Sequence, residues 1–244
     1  MATDWIMGKR CLEEVVKNFP ERLIRVYTIP SKEEDPLIQT IRQKKVPIVL
    51  VSKDKLFSMV HSESHQAFVA EVTRRKYISL SEFLEQTAAK ENSFLLLLDS
   101  ITDPQNMGAI LRLAECFQVD GVMWSKNRGS DITPTVAKVS SGASELLELI
   151  QVSNLADSVI RLKEADYQVV IADANPKAIS LSTFSFPPKT ALILGSEGEG
   201  LRKRIHDQAD YSLYIPMQGK ISSLNVSQAA AICLYSWREK AGLS

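Results

Sequence analysis

Cysteine is scarce in this chain: Cys11, Cys116 and Cys233 are its three, far apart and without a CxxC pair. An odd, scattered set forms neither a disulfide framework nor a zinc site. Long apolar runs are also missing. No stretch nears the ~20 residues needed to cross a bilayer, and the most apolar segment, Phe94 to Leu98, has only the length of a strand. The start, Met1-Ala2-Thr3-Asp4-Trp5, lacks a basic stretch followed by an apolar one. No secretory signal is therefore expected, and the cytoplasm is the expected location. Net charge is absent as well, because 29 Lys and Arg balance 29 Asp and Glu over 244 residues. That excludes a protein that holds nucleic acid by bulk electrostatics alone. What is present is an ordinary globular mixture, 45% hydrophobic and 24% charged, sufficient for one large domain or two smaller ones.

Residues 1–75 lean basic, with 13 Lys and Arg against 10 Asp and Glu. Small clusters occur at Arg42, Lys44 and Lys45 and at Arg74, Arg75 and Lys76, fitting either an RNA surface or a solvated face. Along this part, Cys11 to Phe19 predicts an amphipathic helix ended by Pro20. Leu23 to Ile29 alternates like a strand, and Pro36 to Lys45 is helical with proline in its first turn. Val46 to Val51 and Ala67 to Val72 predict two more strands, giving a small α/β domain. Residues 76–92 read as a linker with a helical piece. From Ser93 onward the character changes. Apolar strands at Phe94–Asp99, Gly121–Trp124, Gln168–Asp173, Ala191–Gly195 and Tyr211–Pro216 alternate with helices, which predicts a parallel sheet covered on both faces. In such sheets ligands sit beyond the carboxyl ends of the strands.

Three strand ends are equipped for chemistry. The first runs from Asp99 through Asp103-Pro104-Gln105-Asn106-Met107-Gly108 to Arg112, with a helix starting near Asn106. Asn106 and Arg112 are six apart and off any single helical face, so the loop and first turn must curve around a shared target. The plainer alternative makes Asn106 a helix cap and Arg112 a surface charge. The second is Gly195-Ser196-Glu197-Gly198-Glu199-Gly200, whose glycines let backbone approach a ligand. It is not a phosphate loop, a GxGxxG fingerprint or a GxSxG elbow, and its carboxylates suit a cationic or hydroxyl-rich ligand. A tight strand-to-helix turn is the alternative. The third runs from Ile215-Pro216-Met217 to Ser222-Ser223-Leu224-Asn225-Val226-Ser227, ahead of a helix reaching about Lys240. Capping that helix would use one of its polar side chains, and three are present. His61 and His65 flank Glu63 as HxExH rather than HExxH, so no metal is expected.

Together the three segments resemble the SpoU branch of the SPOUT methyltransferases, which methylate ribose 2′-hydroxyls in tRNA and rRNA. The signatures stand in order as Asn106-x-Gly108 with Arg112, Gly195-x-Glu197-x-x-Gly200, and Ser223-x-Asn225-Val226-Ser227. Further forward, Ile6-Met7-Gly8 before a helix and His65-Gln66 before a strand resemble the substrate domain of bacterial 23S rRNA guanosine-2′-O-methyltransferases. Lys9-Arg10-Cys11 stands where those enzymes often have a His-Ala pair. The resemblance implies a ribosomal-protein-L30e-like α/β domain over residues 1–75, a linker over 76–92 and a trefoil-knotted α/β domain over 93–244. It implies S-adenosylmethionine as cofactor, held by Leu194, Gly195, Gly200, Ile215, Met217 and Leu224 largely through backbone groups. It implies a homodimer with a shared active site, and RNA as partner. Arg112 would activate the ribose hydroxyl. Asn106 would orient Arg112 or the ribose, and Glu197, Ser223 and Asn225 would position substrate. A guanosine of 23S rRNA is the expected target; methylation of tRNA, or RNA binding without catalysis on the same fold, are the alternatives.

Overall fold

The computed structural model describes residues 2–173, 178–196, 201–221 and 223–241. In chain order the elements are β1 (Thr3–Met7), α1 (Lys9–Asn18), β2 (Leu23–Thr28), α2 (Pro36–Gln43), β3 (Ile48–Leu50), α3 (Lys53–Val60), β4 (Phe68–Thr73) and α4 (Leu80–Thr87). There follow β5 (Ser93–Asp99), α5 (Pro104–Cys116), β6 (Gly121–Ser125), α6 (Pro134–Val139), α7 (Ala143–Leu146), β7 (Leu149–Val152) and α8 (Leu155–Glu164). The last are β8 (Gln168–Ala172), β9 (Ile179–Ser180), β10 (Lys189–Gly195), α9 (Lys203–His206), β11 (Tyr211–Tyr214) and α10 (Val226–Lys240). Two compact units result, one of residues 1–76 with 131–146, the other of 77–130 with 147–244.

The sheet of the first unit runs β1-β4-β2-β3. Its pairs are antiparallel except β2 with β3. Successive side chains of a strand point to opposite faces, and both faces are covered. Ile6, Val26 and Ala70 pack with Leu12 and Val15 of α1 and Ile38 and Ile41 of α2. Their neighbours Met7, Tyr27 and Val69 pack with Leu56 and Val60 of α3. Gly8, at φ 91°, turns β1 into α1, and a Cβ there would lie 2.9 Å from Lys138 Cγ. That close approach explains why a glycine stands at the turn.

The helical excursion α6–α7 is part of this unit, fastened by a buried charge. The Glu145 side chain is fully buried and accepts hydrogen bonds from Arg22, at 2.8 Å, and from Arg75. Burial alone would push its carboxyl up, but the Arg75 and Arg22 guanidiniums outweigh burial and hold it below the usual carboxylate range. Arg75 also donates to the Ser144 carbonyl at 2.6 Å. Nothing in the periodicity of residues 131–146 distinguishes this destination from the sheet on either side.

In the second unit seven strands run β7-β6-β5-β10-β8-β11-β9, every pair parallel. All five strands expected from the sequence are present; β7 and β9 were not foreseen. All seven residues of β5 are buried, as a sheet covered twice requires. On one face Leu95, Leu97, Val169, Ile171, Ala191 and Ile193 meet Leu155, Val159 and Leu162 of α8 and Phe83 of α4. On the other, Phe94 stacks against Trp237 of α10 with ring centroids 4.1 Å apart. The stretch read as a linker thus contains a helix, opened by a capping box of Ser79 and Glu82. Because the strands are parallel, Asp99, Ser125, Val152, Gly195 and Tyr214 all end at one edge, and the loops that follow share it. No helix among the described residues is long and apolar enough to cross a membrane.

Candidate active site

The loop after β5 leads directly into α5, and the helix starts earlier than expected. Asp103 is its cap, accepting from the amides of Gln105 at 3.1 Å and Asn106 at 3.2 Å, with Pro104 at the first helical position. The cap role offered as the plain alternative for Asn106 therefore belongs to Asp103, and the Asn106 side chain is engaged elsewhere. Arg112 lies two turns on, exposed, with no hydrogen bond or ion pair to any described residue of its own chain.

The residue that engages Asn106 is Asn225. Its Oδ1 caps α10, accepting from the Ser227 amide at 2.9 Å and the Ser227 hydroxyl at 2.6 Å. Its Nδ2 donates to Asn106 Oδ1 at 2.9 Å. One side chain thus terminates a helix and ties together two segments 119 positions apart. Ser223 is exposed and Leu224 half-buried, just before this cap.

β10 brings the glycine-rich segment to the same place. Gly195 is registered with Asp99, and the buried Leu194 with Leu98. Glu197 and Gly200 lie outside the described residues. Arg202 grips β5. Its backbone amide and Nε donate to Asp99 Oδ2 at 3.3 and 3.1 Å, and its Nη2 stands 2.8 Å from Oδ1. The Asp99 side chain is 1% exposed, and Asp99 thus meets Gly195 through backbone register and Arg202 through its buried carboxylate. Sequence reasoning saw Asp99 only as the end of a strand. The available signal was an acid closing an otherwise apolar run, which is costly to bury without a partner.

Further across the sheet, the half-buried Ile215 and the exposed Met217 follow β11. β8 separates β11 from β10. The structure therefore joins Asn106 to Asn225 by a hydrogen bond and Gly195 to Asp99 by register, and leaves Arg112, Ser223 and Met217 facing solvent. His61 closes α3 in a left-handed conformation, and the buried His65 accepts from the Ala67 amide at 2.9 Å. Among the described residues no cluster of three or more His, Cys, Asp or Glu side chains is gathered.

Comparison with known proteins matches two family models. Residues 93–235 match the SpoU rRNA methylase family, and residues 5–78 match the RNA 2′-O ribose methyltransferase substrate-binding domain. A 23S rRNA (guanosine-2′-O-)-methyltransferase, RlmB, of Shewanella oneidensis is 36% identical over 95% of each chain. That of Haemophilus ducreyi is 32% identical over 96% of each. Among solved structures, the SpoU methyltransferase AviRb of Streptomyces viridochromogenes, in complex with the cofactor AdoMet, superposes with a TM-score of 0.80 at 21% identity, over 97% of this chain and 89% of that one.

Proposed function

Because the chain belongs to the SpoU rRNA methylase family, we propose that it transfers a methyl group from S-adenosylmethionine to a ribose 2′-hydroxyl of RNA, a guanosine of 23S rRNA. The observation that best supports this reading is the bond from Asn225 to Asn106, beside the register of Gly195 with Asp99. Segments from three parts of the chain meet at one sheet edge. The residues there suit the cofactor. Leu194, Gly195, Ile215, Met217 and Leu224 offer backbone groups and aliphatic surface without a cation, as an adenosine lacking phosphates calls for; Gly200 completes the proposed set. When bound, S-adenosylmethionine supplies a methyl on a sulfonium, already activated, so no metal is required.

The protein's own task is to align the RNA and manage the hydroxyl proton. Arg112 activates the hydroxyl: its forked N–H groups grip the adjacent phosphate and stabilise alkoxide charge. Asn106, held by Asn225, orients Arg112 or the ribose. Glu197 and Ser223 position substrate. The enzyme works as a homodimer with a shared site, which gives a use to an exposed Arg112 that has no partner among the described residues of its own chain. Ile232 and Tyr235 support this, being 40% and 57% exposed and three apart on α10. The domain of residues 93–244, apart from the excursion 131–146 that packs within the first unit, carries a trefoil knot; residues 76–92 lead into it, with α4 in its core, and residues 1–75 form an L30e-like RNA-binding domain. It acts in the cytoplasm, where ribosomal RNA is made in bacteria.

Calorimetric titration with S-adenosylhomocysteine, beside tritium transfer to 23S rRNA lacking the modification, tests the assignment. Arg112→Ala is expected to lose transfer and keep cofactor affinity; Gly195→Val is expected to lose cofactor binding by bulk. Full transfer by Arg112→Ala removes that residue from its role.

A further inference from the structure

On the other side of β5 from Gly195 and Ile215, the ends of β6 and β7 open into a cleft of about 290 Å³. Its walls include Ser125, Arg128, Ser153, Asn154, Arg202 and Arg204. The polar groups are held in place. Asn154 caps α8, accepting from the Ala156 amide at 3.0 Å, and donates to Asp157 at 2.6 Å. Arg204 donates to the same Asp157 at 2.8 Å, and Arg202 is committed to Asp99. Arg128 is exposed, and its guanidinium has no partner among the described residues.

Charge and shape restrict what such a cleft takes. Among the described residues three guanidiniums face two carboxylates, Asp99 and Asp157, which leaves these walls net positive. The Arg204–Asp157 pair is 64% and 57% exposed, and pairs so exposed contribute little and exchange readily. Arg204 and Arg128 are therefore available to an anion. Among the described residues the walls carry no aromatic ring on which a base would stack. The volume lies at the low end of small-molecule pockets, about 300 Å³ and upward, too small for a whole cofactor. Forked N–H donors, an amide and hydroxyls around a small polar space match a phosphodiester.

We propose that this cleft binds a backbone phosphate of the RNA strand, next to the nucleotide being methylated, with Arg128 and Arg204 as its cationic ligands. The proposal rests on the methyltransferase reading for the identity of the strand, and on the register of Asp99 with Gly195 for its nearness to the chemistry. It adds to the catalytic end a positioning contact that reads no base.

The test uses the full-length protein, with Arg128→Ala, Arg204→Ala and the double variant; both side chains are exposed and the fold does not depend on them. Filter binding of unmodified 23S rRNA between 50 and 200 mM KCl gives the salt slope, tritium transfer gives KM and kcat, and calorimetry gives affinity for S-adenosylhomocysteine. Each lost phosphate contact lowers the slope by about one. The double variant, which loses that one phosphate contact, is expected to lower the slope by about one, with RNA KM raised about tenfold or more and cofactor affinity unchanged, and Arg128→Lys is expected to restore most of the slope lost on alanine substitution. Unchanged slopes and KM overturn the proposal while leaving the methyltransferase reading intact. Weaker cofactor binding with an unchanged slope also overturns it, assigning the cleft to the cofactor's carboxylate. Should the parent protein bind 23S rRNA without methylating it, the methyltransferase reading fails, and the slope still decides the cleft.

Discussion

Asn225 performs two tasks that different substitutions can separate. Serine keeps an oxygen for the Ser227 amide but is too short to reach Asn106, whereas alanine removes both contacts. The cap contributes about 1 kcal/mol, and the hydrogen bond to Asn106 about 1 kcal/mol more. Asn225→Ser should therefore lose about 1 kcal/mol and Asn225→Ala about 2 kcal/mol. At this chain length those losses lower Tm by about 2–4 °C and 4–8 °C. Activity should not follow the same ranking. The bond at 2.9 Å joins α5 to the start of α10, so both variants loosen the site alike, and a loss of 1 kcal/mol in the transition state slows transfer about fivefold. Scanning calorimetry and tritium transfer to 23S rRNA measure the two quantities. A cycle with Asn106→Ala isolates the pair, with a coupling of about 1 kcal/mol expected. Zero coupling, or parent-level transfer by Asn225→Ser, would show that Asn225 is a cap and nothing more.

Three further outcomes are expected. Glu145→Gln strips the charge that Arg22 and Arg75 both face and should cost about 3 kcal/mol or more in urea unfolding; a loss under about 1 kcal/mol refutes the pinning role. Acid should act in two stages. Burial, aided by Lys53, holds the His65 imidazole below its ordinary value, so its contribution is complete above ~6.5 and fades as pH falls through the lowered value. The depressed Glu145 carboxyl contributes fully above ~4.3 and is lost below that; urea midpoints against pH should show Glu145→Gln removing the lower stage alone. Gly142→Ala puts a side chain at φ 90° with its Cβ 3.0 Å from Glu14 Cβ and 3.1 Å from Cys11 Cα. A loss of about 1–2 kcal/mol should appear in the same assay.

Much of the second unit was legible because its strands are apolar without interruption: β5, with Leu95 to Leu98 in a row, could only be a doubly covered strand. β7 was not, since Leu146 to Val152 runs on from α7 with no turn residue between them. The Asp103-Pro104 pair announced a helix start, yet the start was placed two residues late, because a side-chain cap and a proline first turn look alike in a string of letters. The candidate site divided along the same line. Its residue types were visible locally, but the pairing of Asn106 with Asn225 depends on how α5 and α10 pack, and no spacing encodes that. Asp99 and Arg202 escaped notice for the same reason, as did the whole cleft beside them.

The lodging of residues 131–146 in the first unit has a practical result. A fragment ending at Lys76 would carry Arg22 and Arg75 without the acid that neutralises them, and would bare the strand-side surface that Ala137 covers. Severing the chain once after Lys76 would free residues 1–76 from covalent attachment, while residues 131–146 of the same unit stayed in the other piece, joined at 130–131 and 146–147. The first unit is thus discontinuous in sequence and cannot be lent out as a single contiguous module.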